Sequence, residues 1–314
     1  MGTKVKKWQA TAPIDVDVGA RLSTLLGETT QSVRPPQRMI RFYNSIGRLP
    51  LRTGTFLLLL TSIDAVKVIS LAGILGRTDA ALQVIYEYRF RPWRLLWAVG
   101  DHLWQGSYNC RSVRARGRFV RRAVRFLLGR FTQELTPRDG RGHKLTVISL
   151  GSGSASQLFY GIMDNGFGTN DVRVILVDRN PRALKAGREN AHQLGLGAAI
   201  EFQEITIGRF LRQVVAPVSV DLFEMVGLAD YFEDRQLRQY LHGIYTALVP
   251  GGLFLGSNIS DQEEAVYAHG AARWPRMYYR SRMELVELLG EAGFEEIWTG
   301  ACGLYTIWVA QKFT

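Results

Sequence analysis

The sequence predicts an α/β fold: a mostly parallel sheet with an antiparallel last strand, preceded by an α-helical N-terminal cap region. Three observations lead there. Short apolar runs at residues 146–150, 172–177, 199–203, 220–225 and 253–257 alternate with helical patterns around 182–194, 209–215 and 234–248. Runs this apolar, separated by helices, read as parallel strands buried on both faces. Residues 37–131 instead carry long apolar runs without alternation, which reads as helix. Between these regions the net charge changes sign: 25 basic and 9 acidic residues through Lys144, then 14 basic and 19 acidic.

The elements follow in order. Residues 1–36 are polar and irregular and end in Pro35-Pro36, which reads as an arm. The helical region, 37–135, is broken near Gly54, Gly76, Pro92 and Gly106. Gly54 to Leu75 is its most apolar stretch, but Asp64 and Lys67 interrupt it at a spacing that pairs them on a helix. A buried or interfacial helix is therefore expected there, not a membrane span. Residues 136–142, TPRDGRG, read as a linker, and 143–314 as the sheet domain. After the fifth run come a helix near 282–292 and two strand-like stretches, 296–299 and 304–310. With Gly300 and Gly303 between them, these read as an antiparallel hairpin at the sheet edge.

A chain of 314 residues, 46% hydrophobic, is ample for a sizeable core. Its two cysteines, Cys110 and Cys302, are far apart and lack metal-like spacing. That argues against a disulfide scaffold or a metal site and fits a reducing cytoplasm. The N-terminus, MGTKVKKWQATAP, lacks the apolar core and cleavage site of a signal peptide.

The first apolar run ends in VISLGSGSAS, residues 147–156. In an open parallel sheet ligands bind beyond the carboxyl ends of the strands. Gly151 and Gly153 let the chain turn and let backbone N–H groups approach a ligand, although a plain tight turn also wants them. Asp178 ends the second run, VRVILVD, where a carboxylate accepts hydrogen bonds from ribose hydroxyls or supports the next helix start. Asn180-Pro181 then gives an N-cap followed by proline at the first helical position. A dinucleotide loop wants glycine where Ser156 stands, and no Lys-Ser/Thr pair follows for a triphosphate. A nucleoside without phosphate fits better, the loop backbone then holding an amino-acid end.

From Thr146 onward the chain resembles the class I S-adenosylmethionine-dependent methyltransferases, which have a Rossmann-like sheet. LGSGSAS is similar to their first motif, ILVD to their ribose-binding acid, VDLFEMVGLADYF to their fourth-strand motif and LVPGGLFLGSN to the turn before strand five. WQGSYNCRSVRAR, GLADYFED, YYRSRMELVELLGEAGF and GLYTIWVAQK further resemble a little-characterised methyltransferase family sometimes joined to α/β-hydrolase domains. The resemblance implies S-adenosyl-L-methionine as cofactor. It implies Gly151, Ser152 and Gly153 at the methionine end, Asp178 with Arg179 at the ribose, and Glu204 with Ile205 at the adenine. Met225, Gly227 and Leu228 would flank the reacting centre. Glu204 reads equally as a surface carboxylate. Two departures stand out: Ser149 replaces the acid that usually opens the first motif, and Ala155 its third glycine.

Methyl transfer from a sulfonium is an in-line displacement, and aromatic rings suit the cationic sulfur. Tyr108, Tyr231 and Asn258 are the candidate catalytic residues, with Trp104, Gln105, Asn109 and Tyr278 as candidate substrate or lid residues. Trp104 and Tyr108 also read as core. The stretch 111–125, RSVRARGRFVRRAVR, places Arg111, Arg114, Arg118, Arg121, Arg122 and Arg125 on one helical face. That face is a phosphate-binding stripe or a solvated or internally paired surface. Few aromatics interleave with it, so nucleic acid is not the favoured partner.

The expectation is a cytoplasmic methyltransferase of a small molecule, with a homodimer allowed. A second hypothesis keeps the cofactor but attacks its aminocarboxypropyl carbon, by transfer or by closure to a four-membered imino acid, releasing methylthioadenosine. Ser149 is its motive. A third is an RNA-binding methyltransferase or a non-catalytic binding module that uses the arginines.

Overall fold

In a computed structural model the described residues are 20–22, 24–25, 33–50, 53–75, 77–94, 96–134 and 144–313. The predicted linker at 136–142 and most of the predicted arm lie outside them.

The helical region runs α1 (Gln37–Gly47), α2 (Thr53–Thr61), α3 (Ile63–Val68), α4 (Thr78–Tyr86), α5 (Leu96–Gln105) and α6 (Tyr108–Glu134). A π-helical stretch, Ile69–Ile74, continues α3. The apolar stretch from Gly54 is thus cut into short pieces, and no helix among the described residues is long and apolar enough to cross a membrane. Ser62 caps α3, and Asp64 turns inward, where the Gln105 Nε2 donates to it at 3.2 Å.

The rest alternates strands and helices: β1 (Leu145–Leu150), α7 (Ser156–Met163), β2 (Val172–Asp178), α8 (Pro181–Gln193), β3 (Ile200–Glu204), α9 (Ile207–Gln213), β4 (Val220–Met225), α10 (Asp234–Ala247), β5 (Leu248–Ile259), α11 (Arg282–Glu291), β6 (Glu296–Cys302) and β7 (Tyr305–Gln311). The sheet order is β3-β2-β1-β4-β5-β7-β6. The first five strands are parallel, while β7 runs antiparallel to both β5 and β6. This is the Rossmann-like sheet expected from the sequence, with the reversed hairpin at its edge.

Strand alternation divides the core in two. Val147, Val174, Leu176, Leu222, Leu255 and Val309 face α6, α7 and α8. Ile148, Val177, Phe223, Phe254 and Trp308 face α9, α10 and α11. The first cluster continues through Val124 and Phe119 of α6 to Tyr43 and Ile40, so the helical region and one sheet face share packed apolar surface. Strand order reverses between β1 and β4, which opens a crevice at their carboxyl ends.

Two capping motifs follow their sequence signals. Asn180 accepts from the Arg182 N–H with Pro181 starting α8. Ser281 and Glu284 form a reciprocal capping box on α11.

Candidate functional site

A cavity of about 700 Å³ occupies that crevice, within the range of ligand pockets. Its sheet side is the loop after β1 (residues 151–156), Asp178 and Arg179 after β2, Ile205 to Ile207 after β3, and Val226 to Leu228 after β4. The helical region supplies the facing wall: Thr78, Asp79, Leu82, Gln83 and Tyr86 from one face of α4, and Arg116 from α6.

The β1 loop is shaped by left-handed backbone. Gly151 has φ +65°, and a Cβ there would lie 2.5 Å from the Leu228 side chain. Gly153 has φ +53°, with only the Asp79 Cβ within 4 Å. Ala155 also sits at φ +51°, so alanine keeps the conformation that glycine adopts freely. The buried Ser152 Oγ finds no partner among the described residues.

Asp178 holds this loop to the second strand. One carboxylate oxygen accepts from the Gly153 N–H at 3.1 Å and the other from the Asn180 N–H at 2.9 Å. Burial raises its pKa, and these two N–H groups work against the rise. Each oxygen keeps acceptor capacity for a ribose hydroxyl.

Glu224, on β4, is 8% exposed and lines the cavity. It lies opposite Ser149 in the β1–β4 register, and the Ser149 hydroxyl donates to its Oε2. Its Oε1 accepts from the Val226 N–H at 3.0 Å. Burial pushes its pKa up to about 7 against the pull of Ser149, Val226 and Arg116. Arg116 is 2% exposed. Its guanidinium stacks 4.2 Å over the Tyr305 ring and lies 3.8 Å from Asp230, too far for a hydrogen bond. Tyr86 is its hydrogen-bonding neighbour, while its Nε has no partner among the described residues. A Cβ on Gly227 would come within 2.7 Å of this guanidinium.

The crevice gathers Gly151, Ser152, Gly153, Asp178, Arg179, Ile205, Gly227, Leu228 and Tyr231 from the sequence candidates. Tyr231 also accepts at its hydroxyl from Trp274 Nε1, 3.0 Å away. The other candidates lie elsewhere. Glu204 is exposed at its strand end, as a surface carboxylate is. Met225 is fully buried in the second core cluster. Asn258 is buried and braces loops: its Nδ2 donates to the Tyr278 carbonyl, and its Oδ1 accepts from Arg280. Tyr278 donates to Glu233 at 3.1 Å, and from this segment Pro275 lines the cavity instead.

WQGSYN is a larger correction. Trp104 and Tyr108 are core residues, 3% and 4% exposed. Gln105 links Asp64 to Arg114. Asn109 donates to Glu264, which also accepts from the Tyr108 and Asn109 backbone N–H groups. An acid is thereby held at the positive end of α6, a helix with no acid in its own first turn. The motif starts a helix; it does not face the crevice.

Sequence reading missed Arg116 and Glu224. Both carried a signal. Arg116 falls on the apolar face of α6 with Val113 and Val120, off the arginine stripe, and Glu224 is an acid inside a buried strand. As for the stripe, Arg114 donates to Gln105, and Arg121 pairs with Asp164 through two hydrogen bonds at 2.6 and 2.8 Å.

The fold and crevice define an α/β protein with a Rossmann-like sheet, a cavity at its topological switch point and an acid at the second strand end. Residues 142–300 match the model of the methyltransferase domain family, and the chain belongs to that family. No curated protein matches it. Among solved structures it is similar to one from Bordetella parapertussis described as a possible exported protein. The TM-score there is 0.60 at 15% identity, covering 97% of this chain and 100% of that one. CurJ carbon methyltransferase gives 0.53 at 11% identity, over 96% and 93%. Magnesium protoporphyrin IX methyltransferase (ChlM) from Synechocystis PCC 6803, solved with S-adenosylhomocysteine, gives 0.51 at 12%, over 79% and 99%. The protein is an S-adenosylmethionine-dependent transferase with a Rossmann-like class I methyltransferase fold.

Proposed function

We propose that the protein methylates a small molecule bound between the β4 loop and the wall formed by α4 and α6. The observation that carries this reading is the crevice itself, in which the bare β1 loop and Asp178 face an enclosing helical wall. The residues fit the cofactor on grounds of shape and chemistry. The left-handed loop leaves Ser152 Oγ unpartnered among the described residues beside the cavity, and Asp178, which already accepts from the Gly153 N–H, has spare acceptors. S-adenosylmethionine, when bound, supplies an electrophilic methyl group on a cationic sulfur. Asp178 would accept from its ribose hydroxyls, the 151–156 loop would carry its methionyl part, and Ile205 and Ile207 would pack on its adenine.

The chain's contribution to the reaction is positioning and water exclusion. α4 and α6 cover the crevice from above, and Gly227 and Leu228 border the reacting centre. Tyr231 presents an aromatic ring there, which favours developing or existing positive charge. A small acceptor suits a crevice closed by helices better than a polymer does.

The second hypothesis drew on the acid lost at Ser149. Glu224, hydrogen-bonded to Ser149, leaves an acid beside that place, so methyl transfer is the reading we keep. Mass spectrometry after incubation with S-adenosylmethionine tests it, alone and with a metabolite extract. S-adenosylhomocysteine that appears only with the extract is the expected result. Methylthioadenosine formed from the cofactor alone would replace this reading with the second.

A further inference from the structure

The crevice contains two buried, oppositely charged side chains that the ribose and adenine assignments leave unused. Among the described residues three acids line it: Asp79, Asp178 and Glu224. Asp178 belongs to the β2 end, and Asp79 is partly exposed on α4, next to the Asn180 amide at 3.4 Å. Glu224 differs in being buried on the strand next to β1, where the methionyl part would lie. Its two oxygens accept one hydrogen bond each, from Ser149 and from Val226, and each keeps a further acceptor site. Among the described residues two arginines line the crevice, Arg179 at the β2 end and Arg116 opposite β4. Among the described residues Arg116 is buried with its Nε unpartnered, and its ion-pair partner Asp230 lies at 3.8 Å, beyond hydrogen-bond distance.

Burying a charge costs free energy unless a partner compensates it. Glu224 and Arg116 each meet only part of that requirement. They also belong to one corner. Gly227, three residues after Glu224, abuts the Arg116 guanidinium, and Gly151 abuts Leu228. A ligand bearing a cation and an anion on adjacent atoms would satisfy both side chains at once. We propose that Glu224 and Arg116 form the seat of an α-amino-acid zwitterion, Glu224 accepting from its ammonium and Arg116 donating to its carboxylate, and that the methionyl end of S-adenosylmethionine occupies it. The proposal rests on the cofactor reading above and adds two residues to it.

Three probes separate the groups: S-adenosylhomocysteine carries both the ammonium and the carboxylate, decarboxylated S-adenosylmethionine the ammonium without the carboxylate (beside its sulfonium), and methylthioadenosine neither. Calorimetry of the full chain and of Glu224→Gln and Arg116→Met reads their affinities. Each substitution weakens S-adenosylhomocysteine at least tenfold. Methylthioadenosine binding stays within twofold of wild type, which also shows that the variants are folded. Decarboxylated S-adenosylmethionine is weakened by Glu224→Gln and not by Arg116→Met. Unchanged S-adenosylhomocysteine affinity in either variant overturns the proposal, with the cofactor reading left intact. So does an equal loss for all three probes. Wild-type protein that binds none of them overturns the cofactor reading itself, and this proposal with it.

Discussion

Ser149 and Glu224 face each other across β1 and β4, and the serine hydroxyl donates to a carboxylate that is itself buried against the crevice. The folded protein holds Glu224 at a cost, since burial raises its pKa to about 7 from 4.5. The native state therefore binds a proton that the unfolded state has released between about pH 4.5 and 7. Stability falls as pH rises through that window. Ser149 from β1, the Val226 N–H and Arg116 from α6 oppose the rise of the Glu224 pKa. Asp230, raised to about 6 chiefly by burial, acts in the same direction.

Glu224→Gln removes the titration. Urea unfolding at pH 5, 6.5 and 8 should show the variant gaining on wild type as pH rises, by up to roughly 3 kcal/mol, the two-to-three-unit shift converted at 1.36 kcal/mol per unit. A stability difference independent of pH would show that Glu224 titrates normally.

Asp178→Ala should weaken S-adenosylhomocysteine by roughly 2–3 kcal/mol, since charge-assisted hydrogen bonds to ribose are lost and the Gly153 and Asn180 N–H groups lose their acceptor. Calorimetry on the folded variant measures it. An unchanged dissociation constant would take the ribose away from β2.

Much of this site was legible in the sequence because its signals are local. The bareness of Gly151 and Gly153, the acid closing β2 and the Asn-Pro start of α8 each depend on a few neighbouring residues. Arg116 and Glu224 depend on tertiary context: a charge on an apolar face becomes informative only when a cavity adjoins it. WQGSYN misled for the same reason. Its aromatics and amides look like a binding site, but Glu264, 156 residues after Tyr108, turns the segment into a helix start. The parallel strands were readable because both faces are buried, whereas the α4 wall of the crevice carried no motif.

The β1 loop gives a paired test of backbone strain. Ala155 at φ +51° costs about 1 kcal/mol as a left-handed residue, part of which glycine's larger unfolded-state entropy offsets. Ala155→Gly should therefore stabilise slightly, by about 0.5 kcal/mol. Gly153→Ala should destabilise by about 0.5 kcal/mol, from the same balance in reverse. Gly151→Ala should cost more than Gly153→Ala, because its Cβ also meets Leu228. Thermal unfolding ranks the three. Equal effects at 151 and 153 would deny the Leu228 contact.

The last prediction concerns the start of α6. Tyr108 is 4% exposed and packs in the core, while Glu264 receives its backbone N–H at 3.0 Å and that of Asn109 at 2.9 Å. Burial raises the Glu264 pKa against these N–H bonds, so the carboxylate depends on the helix end for compensation. Glu264→Ala removes the charge and leaves three donors without this acceptor, the buried Tyr108 N–H and the part-buried Asn109 N–H and Nδ2, at about 1–3 kcal/mol. Tyr108→Ala opens a cavity, and large-to-small core changes of aromatic residues cost about 3–5 kcal/mol. Tyr108→Phe keeps the ring and should be nearly neutral. In all three variants that remain folded, S-adenosylhomocysteine affinity should stay within twofold of wild type, because neither residue borders the crevice. Denaturation and calorimetry together decide the matter. A Tyr108→Phe protein of native stability that loses cofactor affinity or turnover tenfold would return WQGSYN to the active site and require the helical wall to move during the reaction.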